Sequence, residues 1–292
     1  MLRNVSRTYH SSSQPAVDDV TCEIARGDFF GLLGRNGAGK STLIKMMVGL
    51  LQPDRGEIHV LGHKISDDRS GHLSRVGYMP QSAFALNNLT VAEALLAVSY
   101  LRGLPLRRAR THRDELIEVL GLSEIRHRVA RSLSGGQRRL LQLAATIAGE
   151  PEVLILDEPT NELDPGLRRF VWSYLKDLNR RGLTIILITH NALEAEQVIE
   201  RVGIMRAGKL VAVGSPQDLK RSVAGEMHVR FLRTSQVTLP SYLEDRDPQG
   251  SYVDGYLPLD HLDKFLADVP PRDLLDLSIT STTLEDVYYG FA

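Results

Sequence analysis

The sequence predicts an α/β fold in which a parallel sheet is covered by helices. Short runs that are apolar on both faces carry that prediction: Phe29–Leu33, Val76–Pro80, Val153–Leu156 and Thr184–Thr189. A glycine-rich segment, Gly34–Ser41, joins the first run to a helical pattern over Thr42–Leu50. Polar residues stand directly behind the other three: Gln81, the pair Asp157 and Glu158, and His190. Ligands of such sheets gather at the carboxyl ends of the strands, which places these four residues at one edge.

GRNGAGKS at Gly34–Ser41 matches the pattern G-x-x-x-x-G-K-[ST] at every position. Strand, glycine-rich loop and helix start form the arrangement needed to hold nucleotide phosphates. Gly34, Gly37 and Gly39 let the backbone turn tightly and aim its N–H groups, and the helix start adds a positive end. The whole stretch is the expected cradle, with Arg35, Asn36 and Ala38 in the loop and Thr42 closing it. Lys40 supplies a charge to the β- and γ-phosphates, and Ser41 a hydroxyl to Mg²⁺. Two adjacent carboxylates ending a buried strand are costly without a task. Asp157 can hold the metal, and Glu158 can orient and deprotonate an attacking water. Gln81 can touch both metal and water, and His190 can donate to the γ-phosphate.

About a hundred residues past the loop the chain reads LSGGQ at Leu133–Gln137, and LILDEP follows at Leu154–Pro159. With these motifs in this order, residues 1–220 resemble the nucleotide-binding subunit of ABC transporters. The resemblance implies an ABC-type P-loop ATPase fold that binds ATP and Mg²⁺ and works as a head-to-tail homodimer. Each ATP would lie between Lys40 of one copy and Ser134 and Gly136 of the other, within a signature loop Ser134, Gly135, Gly136 and Gln137. Tyr9 looks like the aromatic residue that stacks on adenine, and Asp164 like the aspartate of the D-loop. One departure stands out: Glu162 occupies a D-loop position where glycine is common.

The remainder of the chain is read by pattern. Residues 1–25 form an edge-strand region with a loop at 10–14. A helical subdomain is expected over about 84–150. Within it, a Thr90–Glu93 capping box opens a helix to about Leu101, a second helix spans Arg107–Leu120, and a third spans Gln137 to Ala148. Arg138 and Arg139 read as a solvated helix face. Leu167–Leu178 is helical, Ala192–Glu200 forms another helix, and Arg201–Val213 forms a hairpin around Ala207–Gly208. Ser215 and Pro216 open a short helix. The ATPase domain is assigned to 1–221 and a small mixed α/β domain to 222–292. In the latter, strands are expected at Met227–Leu232 and Leu274–Ile279, and helices at Leu259–Leu266 and Thr283–Tyr289, the last capped by Ser281 or Thr282. The ending TTLEDVYYGFA is similar to the tail of ATP-binding subunits from ABC-2-type exporters.

The chain has 292 residues, a net charge of −1, 42% hydrophobic residues and one cysteine, Cys22. That balance carries no basic field for nucleic acid, and one cysteine excludes an internal disulfide. No apolar run approaches the length needed to span a bilayer, and MLRNVSRTYH has no signal-peptide core. The expectation is a peripheral subunit on the cytoplasmic side of a membrane, powering a separately encoded exporter that docks near residues 82–100. An importer ATPase and a soluble remodelling ATPase are the alternatives.

Overall fold

The computed structural model describes the chain except for residues 10–12, 67–72, 82–85, 190–195, 223–225, 235–236, 238, 246–247, 271–273, 282, 285 and 288–292. Two compact units divide between Val213 and Gly214.

The first unit opens with an antiparallel pair, β1 (Leu2–Arg7) and β2 (Val17–Cys22). The fully buried β3 (Phe29–Leu33) leads through the glycine-rich loop into α1 (Lys40–Met47). The strands β4 (Arg55–Val60) and β5 (His63–Lys64) extend the first pair into a sheet of order β2-β1-β4-β5. Then come β6 (Val76–Met79) and three helices, α2 (Val91–Leu101), α3 (Leu106–Val119) and α4 (Gly135–Ile147). The unit closes with β7 (Val153–Asp157), α5 (Pro165–Arg180), β8 (Thr184–Ile188), β9 (Arg201–Arg206) and β10 (Lys209–Gly214), the last reaching one residue past the division.

The second sheet runs β10-β9-β3-β8-β7-β6, and β9, β3, β8, β7 and β6 are mutually parallel. Every residue of β3, β7 and β8 is buried, as their uninterrupted apolar composition requires. The main core joins Val5, Val20 and Ile58 of the antiparallel sheet to Ile44 and Met46 of α1 and to Ile155 and Ile186 of the parallel sheet. Burying such apolar area contributes roughly 25 cal/mol per Å².

Gly77 in β6 is a point of close approach. A Cβ there would lie 2.5 Å from the main-chain oxygen of Thr146 in α4 and 2.6 Å from Leu154 in β7. Only glycine lets helix and strand meet at that distance.

The first helix of the helical subdomain is capped as its sequence predicts. Thr90 accepts from the N–H of Glu93, and Glu93 accepts from the N–H of Thr90, so α2 starts on a complete capping box. The turn between β9 and β10 places Ala207 and Gly208 at positive φ, 45° and 81°. Residues 192–195 of the expected Ala192–Glu200 helix lie outside the described residues. Among the described residues no helix is long and apolar enough to cross a membrane.

The second unit contains α6 (Pro216–Ser222), β11 (Glu226–Leu232), β12 (Glu244–Asp245), β13 (Tyr252–Pro258), α7 (Leu262–Asp268) and β14 (Ser278–Ser281). Its sheet is antiparallel, of order β12-β13-β11-β14, over a core of Val229, Phe231, Val253, Leu257 and Phe265. The helix α6, assigned from sequence to the first domain, falls in this unit. At the tail the capping residue is Thr283 rather than Ser281 or Thr282. Its hydroxyl accepts from the N–H of Asp286, and Asp286 accepts in return from the N–H of Thr283 at 2.6 Å. Leu284 and Val287 are fully buried, and Tyr256 donates to Asp286. Tyr288 and Tyr289 lie outside the described residues.

Candidate nucleotide site

The glycine-rich loop leaves β3 and ends at Gly39, the N-cap of α1, with φ of 100°. A Cβ at Gly39 would strike the carbonyl oxygen of Ala16, so position and conformation both demand glycine here. No side chain caps α1, which leaves the helix start to an anion. Arg35, Asn36, Gly37 and Ser41 are exposed, whereas Ala38 and Thr42 anchor the loop in the core. Lys40 curls over the loop: its Nζ donates to the carbonyls of Gly34 at 2.5 Å and Arg35 at 3.0 Å. Burial holds its pKa below the ordinary lysine value, opposed by the charges of Glu158 and Asp157. Tyr9 stands beside α1, with its hydroxyl 3.2 Å from Oγ1 of Thr42 and its ring partly open to solvent.

Asp157 ends β7 and Glu158 follows it; both are buried. Burial pushes the Asp157 carboxyl above the usual range, and the Glu158 charge adds to that. Lys40 and Arg139 pull it back. Glu158 has φ of 52°, its N–H donates to Ile188 at 2.8 Å, and its Oε2 accepts from the hydroxyl of Thr189 at 3.1 Å. A buried carboxylate in a left-handed backbone turn, oriented by a neighbouring strand end, is held in one direction. Ser41, Asp157 and Gln81 offer hard oxygen donors, the set that suits Mg²⁺ sharing its coordination with phosphate oxygens.

Gln81 is exposed just past β6, and the carbonyl of Pro80 before it accepts from Nε2 of Gln142 at 2.9 Å. His190 lies outside the described residues. Lys40 follows β3 and Asp157 and Glu158 stand at the end of β7, both on the carboxyl side of the parallel sheet, and the two carboxylates favour the charged form of Lys40.

Ser134 is the N-cap of α4, which starts at Gly135, two residues earlier than expected from sequence. The reason is a second capping box: the N–H of Gln137 donates to Oγ of Ser134 at 3.3 Å, and the N–H of Ser134 donates to Oε1 of Gln137 at 3.2 Å. Gln137 is therefore the third helical residue, with its side-chain oxygen engaged locally. Asp164 caps α5, accepting from the N–H groups of Gly166 at 2.8 Å and Leu167 at 3.0 Å.

Arg139 corrects the sequence reading. It is only 7% exposed, not solvated. Its guanidinium donates to the carbonyls of Asp157 at 2.7 Å and of Glu158, and to Oε1 of Gln142 at 2.9 Å. Sequence reasoning missed Arg139, Gln142 and Thr189. The available signal was the near-continuous apolar run Leu140–Ala148, which marks a helix buried on all sides, where an arginine and a glutamine need internal partners.

Comparison with known proteins fits this geometry. Residues 17–161 match the ABC transporter family profile. The chain is 39% identical over 211 residues to the daunorubicin resistance ATP-binding protein DrrA3 of Streptomyces coeruleorubidus, covering 72% of this chain and 67% of that protein. It is 35% identical over 313 residues to ATP-binding cassette sub-family A member 7 of Mus musculus, covering all of this chain. The chain spans only 14% of that relative's length. Among solved structures, a dimeric ATP-binding cassette in a post-hydrolysis state with ADP and Pi superposes with a TM-score of 0.65 at 26% identity. That match covers 73% of this chain and 97% of the other.

Proposed function

Because the chain belongs to the ABC transporter family, we propose that it hydrolyses ATP to power a separately encoded transmembrane exporter through closure of a head-to-tail dimer. The observation that carries this reading is the cluster of Lys40, Asp157 and Glu158, where one ammonium and two buried carboxylates act on one another at the mouth of the phosphate loop.

In this reading the amides at the start of α1 and the Lys40 ammonium bind the phosphates, with Lys40 exchanging the carbonyls of Gly34 and Arg35 for phosphate oxygens. Tyr9 stacks on adenine. Ser41, Asp157 and Gln81 would hold Mg²⁺, which would neutralise charge on the phosphates. Glu158 takes a proton from water as the water oxygen bonds to the γ-phosphorus. The bond from that phosphorus to the bridging oxygen breaks, releasing ADP and phosphate. His190 donates to the γ-phosphate. Ser134 and Gly136 of the second copy complete the shell, and closure excludes bulk water.

Export is favoured by the DrrA3 likeness and the TTLEDV ending. Docking of the permease near residues 82–100 would place the subunit at the cytoplasmic side of the membrane, with the second unit bracing the dimer. The test is capture of tagged Glu158→Gln protein from detergent-solubilised membranes with Mg-ATP. Recovery of a multi-span protein is expected; recovery of soluble proteins alone would refute the transporter reading.

A further inference from the structure

The D-loop residue Glu162 stands against the signature loop of its own chain. Its backbone is left-handed, with φ of 66°. Its Oε2 lies 2.7 Å from the point a Cβ on Gly135 would occupy, and its main-chain oxygen lies 3.4 Å from the corresponding point on Gly136. Gly135 is the first residue of α4, a helix of 13 residues, so the carboxylate lies beside a positive helix end. The same charge acts on Arg139 more strongly than that of Asp157 or Glu158. Glu162 is exposed, so no packing within the first unit fixes its side chain there.

The Ser134–Gly136 segment is the surface that, under the composite-site reading above, receives the γ-phosphate carried by the other copy. A negative charge lies at that surface before the phosphate arrives. Two anions must then share one helix end, or the carboxylate must leave it.

We propose that Glu162 is an electrostatic brake on dimer closure. It occupies the anion-attracting side of the signature loop in the open subunit and repels the incoming γ-phosphate, and so raises the ATP concentration that closure requires. The proposal rests on the composite-site reading, and its test separates the two.

The test compares Glu162→Gln and Glu162→Gly, each in the Glu158→Gln background, with that background alone. Gln keeps the shape and removes the charge; Gly also suits the left-handed backbone. ATP-dependent dimer formation is followed by light scattering on a sizing column at about 50 mM and about 300 mM NaCl, between which the screening length shortens about 2.4-fold. Both variants are expected to halve the monomer pool at roughly five- to tenfold lower ATP at low salt, and the advantage should shrink at high salt. A Glu158→Gln dimer whose ATP requirement is unchanged by either substitution would overturn the brake alone. So would a gain that high salt leaves intact. Absence of any ATP-dependent dimer in all three proteins would overturn the composite-site reading and the brake with it.

Discussion

Nη2 of Arg139 donates to the main-chain oxygen of Asp157 at 2.7 Å, tying the helix that begins with the signature loop to the strand end that carries both carboxylates. The same side chain reaches the carbonyl of Glu158 and Oε1 of Gln142, whose amide holds Pro80 ahead of Gln81. One buried guanidinium therefore ties α4 to the backbone of Asp157 and Glu158 and, through Gln142, to that of Pro80.

Arg139→Met should cost about 2–4 kcal/mol of stability in urea unfolding, because buried carbonyls lose their donors. Turnover should fall while ATP affinity stays near the parent value, since the phosphate loop is untouched. Equal losses in binding and turnover would show that Arg139 acts on the whole fold rather than on the carboxylates.

Glu158→Gln should lower turnover by about 10²–10⁴, the range for loss of a general base, without weakening ATP binding. Thr189→Val, which removes only the hydroxyl that orients Glu158, should give a smaller loss, on the order of tenfold. Single-turnover phosphate release measures both. Full activity in Glu158→Gln would end its assignment as base.

Asp157 gives a stability prediction with a definite sign. Burial raises its folded pKa above the unfolded value, near 3.9. Between those two values the native state binds more protons than the unfolded chain, so stability falls as pH rises through the window. Asp157→Asn removes that loss. Thermal melts should match the parent below about pH 4 and exceed it at neutral pH, while Mg²⁺-dependent hydrolysis disappears. An Asn variant less stable than the parent at pH 7 would contradict the direction.

The two capping boxes separate folding from function. Thr90→Ala and Ser134→Ala should each cost about 1 kcal/mol. Only Ser134→Ala should also reduce ATP turnover at temperatures where both variants are folded. Equal activities would remove Ser134 from the proposed composite site.

The parallel sheet and its ligand edge were legible because β3, β7 and β8 are buried on both faces and so read as unbroken apolar runs. The same was true of Thr90 and Glu93, whose spacing is itself the capping box. Strands that depend on partners were not. In β4 only Ile58 is fully buried, and its place is set by pairing with Leu2. In β13, Asp254 and Gly255 interrupt the apolar pattern, and its register comes from β11. At the site, motif spacing singled out Lys40, Asp157 and Glu158, and the structure places them behind β3 and β7. The role of Arg139 was hidden because a charged residue at a helix start normally faces water, and only tertiary packing reverses that. The engagement of Gln137 within its own helix was legible in the spacing of Ser134 and Gln137, which is also that of a capping box, but the signature reading of the same residues took precedence.

The missing side chain at Gly77 has a mechanical consequence. With the Thr146 oxygen only 2.5 Å from where a Cβ would be, α4 and β6 have no compressible layer between them. The contact joins the last turn of α4 to the strand that leads to Gln81. A methyl group at position 77 would act as a wedge that forces helix and strand apart.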